Sequence, residues 1–222
     1  MTGASLPYRD RRDAGKQLAA ALQKYRQAPG LLVLGLPRGG VEVAYEVALA
    51  LNAPLDVLVV RKLGLPGHEE YAMGAIASGG VRFFDPPSGL AVARDALDAV
   101  IDREEKELAR REMAYRGARE LPVMTGRTVI LVDDGLATGS TMQAAVAALR
   151  QLKPARVVVA APVGAADTCT RLRAVADELV CPAVPEPFYA ISPWYEEFPQ
   201  TSDEEVQALM RDSAHRNPEP GA

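Results

Sequence analysis

The sequence predicts an α/β fold: three layers, with a mostly parallel five-stranded sheet covered by helices on both faces. Three observations predict it. Short, mainly apolar runs recur along the 222-residue chain at Leu31–Leu36, Leu55–Val60, Thr128–Val132, Arg156–Ala161 and Glu178–Cys181. Runs of that length suit strands buried on both faces of a sheet. Segments of helical periodicity lie between them, and strands alternating with helices imply βαβ units. Proline and glycine mark the changeovers, as at Pro29-Gly30, Pro37-Arg38-Gly39-Gly40, Pro54 and Pro154.

The elements follow in order. Asp10–Gln27 carries an apolar helical stripe through Ala14, Leu18, Ala21, Leu22 and Tyr25, and Pro29-Gly30 ends it. The first strand is followed by a helix over Val41–Leu51, and Pro54 restarts the chain into the second strand. Residues 63–127 interrupt the alternation. Leu63–Gly80, with five glycines, has the composition of a lid. Val81–Phe84 is strand-like. Ser88–Gly117 reads as a long charged helix whose Arg103–Glu107 and Glu107–Arg111 spacings stabilise a solvated face. The third strand then leads to a helix over Ser140–Leu152, the fourth strand to a helix over Ala165–Asp177, and the fifth strand closes the alternation.

Residues 182–215 form a proline- and aromatic-rich hood and a last helix. Ser202-Asp-Glu-Glu205 is a capping box that opens this helix, which ends near Ala214. Residues 216–222 read as a disordered tail. One domain is expected over 1–222.

Composition narrows the function. With 48% hydrophobic and 24% charged residues, whole-chain disorder, collagen and coiled coil are excluded. A net charge of -4 argues against a general nucleic-acid binder, which needs a basic field. Cys169 and Cys181 have no metal-like spacing, and a reduced cytoplasmic protein is the simplest expectation. The opening MTGASLPYRDRRD has no secretory pattern. Runs such as Val157–Ala166 are half the roughly 20 residues a spanning helix needs, so no membrane role is expected.

The strongest signal is Val129-Ile-Leu-Val-Asp-Asp-Gly-Leu-Ala-Thr-Gly-Ser-Thr141. A buried strand ends, two carboxylates follow, and a turn of small residues opens a helix. Open α/β sheets bind ligands at the carboxyl ends of their strands. Thr138, Gly139, Ser140 and Thr141 offer amides and hydroxyls at a helix N-terminus, a site suited to phosphate. Asp133 and Asp134 would repel a bare phosphate but suit hydroxyls and a bound cation. A ribose carrying phosphates with Mg²⁺ meets both demands.

This run resembles the phosphoribosyl-pyrophosphate (PRPP) motif of type I phosphoribosyltransferases. The resemblance implies that Asp133 and Asp134 bind the ribose hydroxyls and hold Mg²⁺, directly or through water. Ala137, Thr138, Gly139, Ser140 and Thr141 would cradle the 5′-phosphate. Beside this motif, Arg38, Gly39 and Gly40 resemble the family's pyrophosphate loop, which implies a cis peptide between Pro37 and Arg38. Arg61 and Lys62, read as the end of the second strand, resemble the basic segment before the mobile loop of adenine phosphoribosyltransferases. They would bring positive charge to the PRPP phosphates. Glu70-Tyr71 resembles an acid–aromatic pair in that loop, with Glu70 as a proton-transfer group and Tyr71 as a closing contact; His68 alone says little. Phe188, Tyr189, Trp194 and Tyr195 follow the last strand, where relatives cover the acceptor base. Phe188, Trp194 and Tyr195 are the candidates for stacking on it, and packing of the final helix is the equal alternative.

The chain also departs from the family. Ala137 stands where hypoxanthine–guanine enzymes carry an acid for the purine N7 proton, which disfavours that route to 6-oxopurines. The whole chain looks most like bacterial phosphoribosyltransferases of unassigned acceptor, including Asp10-Arg11-Arg12-Asp13-Ala14-Gly15, which has no evident chemical role. The implied function is Mg²⁺-dependent transfer of the 5-phosphoribosyl group to a nitrogenous acceptor, a nucleobase for preference, in nucleotide metabolism. The catalytic set would be Asp133, Asp134, Lys62 and Glu70, in a homodimer without nucleic-acid partners. The alternative is a non-catalytic regulator that senses PRPP in the same pocket.

Overall fold

The computed structural model describes residues 6–65, 68–84 and 94–216, and the side chains of all of these except 68–72. Five strands form one sheet: β1 (Leu31–Gly35), β2 (Leu55–Val57), β6 (Thr128–Val132), β7 (Arg156–Ala160) and β8 (Glu178–Val180), in the order β2-β1-β6-β7-β8. Every pairing in it is parallel. The helices are α1 (Arg11–Ala21), α2 (Gly39–Leu51), α3 (Arg94–Arg116), α4 (Ser140–Gln151), α5 (Ala166–Arg173) and α6 (Asp203–Arg216).

The two-residue period of the strands sorts the core. Leu31, Val33, Ile130, Val132, Val158 and Ala160 join the cluster that contains the apolar stripes of α1, α2 and α6. Their neighbours Leu32, Leu34, Val129, Leu131, Val157 and Val159 join Met142, Ala145, Val146 and Leu149 of α4 and Cys169 and Leu172 of α5. Nearly all are fully buried, which is why none of these positions carries a polar side chain. The predicted layers are thereby present.

The region after β2 differs from expectation. The apolar run Leu55–Val60 is not one strand. β2 ends at Val57, where the Leu58 amide donates to the Gly35 carbonyl. Val60 then begins a second, antiparallel sheet of β3 (Val60–Leu65), β4 (His68–Ala77) and β5 (Val81–Phe84). Leu58 and Val59 are buried in the changeover, so hydrophobicity does not mark the break. Arg61 and Lys62 therefore sit on β3, not at the end of a central strand. Most of the expected lid is ladder, packed by buried Leu63, Leu65, Met73, Ala75, Ile76 and Ala77. Gly74 serves that ladder: a Cβ on it would collide with the Phe83 carbonyl of β5.

The helix ends follow from local chemistry. Asp10 caps α1, its carboxylate accepting from the Asp13 amide at 2.7 Å. The first predicted helix stops at Ala21 and passes into a short 3-10 turn over Gln23–Tyr25. The capping box of α6 closes both ways, Glu205 N–H to Ser202 Oγ at 3.1 Å and Ser202 N–H to Glu205 Oε2 at 2.7 Å. α5 is shorter than predicted, ending at Arg173. The expected helix start at 88 and the tail 217–222 lie outside the described residues. Among those described, no helix is long and apolar enough to cross a membrane.

Candidate active site

β6 delivers Asp133 and Asp134 to the carboxyl edge of the parallel sheet. The Asp133 amide still bonds the Ala160 carbonyl of β7, and the Leu36 amide bonds the Val132 carbonyl. The acid turn is thus fixed by ladders on both sides. Asp133 Oδ1 turns back to accept from the Asp134 amide at 2.9 Å. Gly135 follows, where an added Cβ would lie 2.7 Å from Ile191 Cγ2.

The loop after β1 lies directly on this turn. The Pro37–Arg38 peptide is cis, as the resemblance implies. A Cβ on Gly40 would lie 2.8 Å from the Val132 carbonyl oxygen and 2.9 Å from Asp133 Oδ1. One on Gly39 would collide with the Asp134 carboxylate. Glycine is required here by close approach, since both φ angles are ordinary.

Ala137–Thr141 forms the next wall. Gly139 caps α4 in the left-handed region at φ 73°. The first-turn amides of α4 have no intrahelical partner. The turn is braced from behind: Thr168 Oγ1 donates to the Ala137 carbonyl at 2.6 Å, and Arg171 Nη2 to the Thr138 carbonyl at 3.1 Å. An anion facing the front would meet amides, hydroxyls and the positive end of the helix.

Electrostatics separate the two acids from ordinary surface carboxylates. Burial, and then the charge of Asp134, hold the Asp133 carboxyl well above its usual range. Burial also raises Asp134, and the Arg11 hydrogen bond opposes the rise. A desolvated carboxylate beside a second one favours a nearby cation or hydroxyl donors. At the outer side, Arg38 lies 3.7 Å from Asp203 of α6. Asp203 also accepts from Tyr115 Oη at 2.6 Å and faces Arg110 at 3.5 Å.

The structure thus brings Arg38, Gly39, Gly40, Asp133, Asp134 and 137–141 to one sheet edge. It places Arg61 against α3, donating to Glu104 Oε2 at 2.8 Å from Nε. Lys62, one residue on, is exposed on the opposite face of β3. The side chains of His68, Glu70 and Tyr71 lie outside the described residues. Tyr195, open in the sequence between acceptor contact and packing, is a packing residue in the structure. It is 6% exposed, its hydroxyl donates to the Asp134 carbonyl at 2.5 Å, and its ring lies between Tyr8 and Phe198. Phe188 and Trp194 stack on each other at 6.2 Å, and Tyr189 is 90% exposed.

Sequence reasoning missed Arg11 and Asp203. Arg11 donates to Asp134 Oδ2 at 2.8 Å from a side chain only 7% exposed. A signal for it existed: Arg11 precedes Ala14 by three and Leu18 by seven, and so shares the buried stripe of α1. A charge on that stripe needs a partner.

A cavity of about 350 Å³ between α3 and α6 is lined by Tyr115, Arg116, Arg119, Gln207, Arg211 and His215, among others. It contains no residue of the acid turn. Arg116 there is turned inward onto the buried Asp56.

The model of the family described as the phosphoribosyl transferase domain matches residues 10–191. The chain belongs to the phosphoribosyl transferase family. A Mycobacterium tuberculosis protein, whose name provisionally assigns it as a phosphoribosyl transferase, is 48% identical over 210 residues, 94% of this chain and 47% of the relative. The chain therefore spans about half the length of the curated relatives it matches first. The crystal structure of TT1426 from Thermus thermophilus is 43% identical, with a TM-score of 0.83, covering 93% of this chain and 99% of that one. The bifunctional protein PyrR of Chloroflexus aurantiacus is 34% identical over 127 residues, 55% of this chain and 64% of its own. As a phosphoribosyl transferase domain, the chain carries its acid turn, glycine loop and helix N-terminus within the matched span.

Proposed function

We propose that this domain transfers the 5-phosphoribosyl group of PRPP to a nitrogenous acceptor, with release of pyrophosphate. One observation supports this reading above the rest: the acid pair, the glycine loop and the first turn of α4 converge on one edge of the sheet. A phosphorylated sugar needs that set, because its hydroxyls and its anions must be held by opposite chemistries a few ångströms apart.

In this reading Asp133 and Asp134 accept hydrogen bonds from the ribose hydroxyls. Residues 137–141 hold the 5′-phosphate, and Arg38 with the Gly39 and Gly40 backbone holds the pyrophosphate. The bond from C1′ to the pyrophosphate oxygen breaks, and a bond from C1′ to the acceptor nitrogen forms. The acceptor gives up a proton, for which Glu70 is our candidate base, while Lys62 adds positive charge at the leaving group. Positive charge develops on the ribose in the transition state, and the fixed carboxylates stabilise it without reorganisation. Phe188 and Trp194 are the rings we assign to the acceptor.

The residues fit Mg²⁺. Such ions take one or two carboxylates and complete their shell with phosphate, hydroxyl and water oxygens, and Asp133 is a desolvated carboxylate favoured by a cation. When bound, the ion offsets the negative charge of the departing pyrophosphate. A homodimer and a cytoplasmic location accompany this reading as expectations, measurable by light scattering and fractionation.

Pyrophosphate release from PRPP and Mg²⁺ across a panel of purine, pyrimidine and amine acceptors tests the proposal. Turnover with any acceptor supports it. PRPP binding without turnover across the panel overturns the catalytic half and leaves the sensing regulator. No calorimetric heat with PRPP and Mg²⁺ overturns the whole.

A further inference from the structure

We infer that Arg11 is a positioning residue for the sugar-binding acid pair: it occupies one oxygen of Asp134 and leaves the other, with Asp133, to the ribose diol. The inference rests on the reading above, that the acid turn binds PRPP. It concerns a residue to which neither the motif nor the comparisons give a role.

Four contacts fix the Arg11 guanidinium. Nε donates to Asp134 Oδ2 at 2.8 Å. Nη1 donates to the Pro199 carbonyl at 2.6 Å and lies 3.8 Å from Glu42 Oε1. The guanidinium also stacks 3.8 Å from the centre of the Phe198 ring. Glu42 is itself held, accepting from Thr201 Oγ1. The group is therefore anchored by α2 and by the segment before α6, and it reaches Asp134 from a rigid base. A flexible surface arginine could not fix a carboxylate in this way, because ordering it costs side-chain entropy.

The consequence for Asp134 is geometric. A carboxylate has two oxygens. With Oδ2 bound to Arg11 and packed against Gly39, the carboxylate plane is set and Oδ1 is the oxygen left for a ligand. Asp133 Oδ1 is likewise engaged, by the Asp134 amide. Each acid thus keeps one oxygen free of these contacts, and a vicinal diol has two hydroxyls to donate.

The consequence for charge is as direct. Ionised together, the two carboxylates would place two negative charges in a desolvated turn, which would attract a divalent ion with no sugar present. Arg11 reduces the sum to one. The turn then reads hydroxyls first, and the metal arrives with the phosphates of its substrate.

The test compares wild type, Arg11→Lys, Arg11→Met, Asp134→Asn and the Arg11→Met/Asp134→Asn double variant, each checked for folding by circular dichroism. Calorimetry measures Mg²⁺ alone and PRPP with Mg²⁺. Loss of groups that orient a ligating residue typically costs about 10–100-fold in affinity or activity, and Arg11→Met is expected to weaken PRPP by that factor. Arg11→Lys, which keeps charge without the planar fork, should fall between. In the double variant the Arg11 change should add less than about twofold to the Asp134→Asn loss, because both act through one carboxylate. Additive losses would mean Arg11 acts by holding α1 in place, and would overturn the inference. Binding of Mg²⁺ alone should tighten in Arg11→Met; unchanged metal affinity overturns the charge argument. Arg12→Met, in the same helix but on exposed Arg12, should leave PRPP affinity unchanged. If Arg11→Met does not fold, the comparison of Arg11→Lys with wild type, alone and on the Asp134→Asn background, decides the same point. If wild type itself does not bind PRPP, the functional reading fails; if it does and Arg11→Met binds equally, only this inference fails.

Discussion

Arg116 at the end of α3 holds the buried carboxylate of Asp56 on β2, and both side chains are 4% exposed. Arg116 Nε reaches Asp56 Oδ1 at 3.1 Å and Oδ2 at 3.3 Å, and Nη2 donates to the Val57 carbonyl at 2.7 Å. Replacing Arg116 with methionine keeps much of the volume and removes every one of these donors. Asp56 retains the Val57 amide at 2.6 Å and the weaker influence of Arg119, but loses its contacting counter-charge in a desolvated position. Breaking a buried pair on one side costs about 3–5 kcal/mol. For a domain of this size that is a Tm lower by roughly 6–20 °C. The deficit should also depend on pH. Burial raises the Asp56 carboxyl above its usual value even with Arg116 present. An acid raised in the folded state gains stability below its unfolded value of about 3.9 and loses it as pH rises through the folded one. Without Arg116 that rise is larger, so the deficit should shrink from pH 7 toward pH 5. Urea denaturation at several pH values measures this. Asp56→Asn on the same background should restore more than half the loss, since an amide needs no counter-charge. A single variant within about 1 kcal/mol of wild type, well below the cost of an orphaned charge, or a double variant no better than the single one, would refute the reasoning.

Three other outcomes follow from the site and its surroundings. Asp134→Asn should weaken PRPP by about 10- to 100-fold, the scale of a hydrogen bond to a charged group, while circular dichroism stays native; undiminished calorimetric binding contradicts the role of Asp134. In Gly40→Ala the new Cβ meets the Val132 carbonyl and Asp133 backbone at 2.8 and 2.9 Å, neither of which can yield. Thermal melts should report overpacking of about 1–3 kcal/mol, and calorimetry a loss of PRPP affinity; an unchanged melt removes the close-approach argument. Finally, hydrogen bonds from Arg110 and Arg111 hold Glu107 at about 2, and those from Arg150 and Tyr115 lower Asp177 and Asp203. Depressed acids stabilise the fold above their unfolded values near 4 and lose that contribution as pH falls through the folded ones. Urea stability should drop between about pH 4 and pH 2, the window those values define, and a flat profile there contradicts the ion pairs.

The central sheet was legible because burial on both faces makes its strands mainly apolar runs, wholly so in Leu31–Leu34. The acid turn was legible because strand, carboxylates and helix start are neighbours in the chain. Leu58 and Val59 misled for the same reason that the strands did not: they are as buried as the strand they leave. The glycine-rich composition of 63–80 does not show that its described residues pair as an antiparallel ladder, visible only once Phe83 is beside Gly74. The position of Tyr195 after the last strand leaves acceptor contact and packing equally open, because it says nothing of the hydroxyl, which donates to the Asp134 carbonyl. Arg11 lies 123 residues from Asp134, and no local pattern could pair them.

The two charge systems of the site meet in one short stretch. Arg11, which balances the acid pair, rests on Phe198 and the Pro199 carbonyl. Arg38 of the glycine loop faces Asp203, four residues further on. Thr201, between them, holds Glu42 of α2, the helix that the glycine loop opens. Residues 198–203 therefore contact the residues that hold both the acid turn and the glycine loop, although they lie outside the matched family span. The two arginines are thereby kept on different acids: Arg11, anchored by the Pro199 carbonyl, on Asp134, and Arg38 toward Asp203. A substrate with hydroxyls on one side and phosphates on the other, as proposed above, needs that separation, and in this chain it is built by residues distant in sequence from the motif itself.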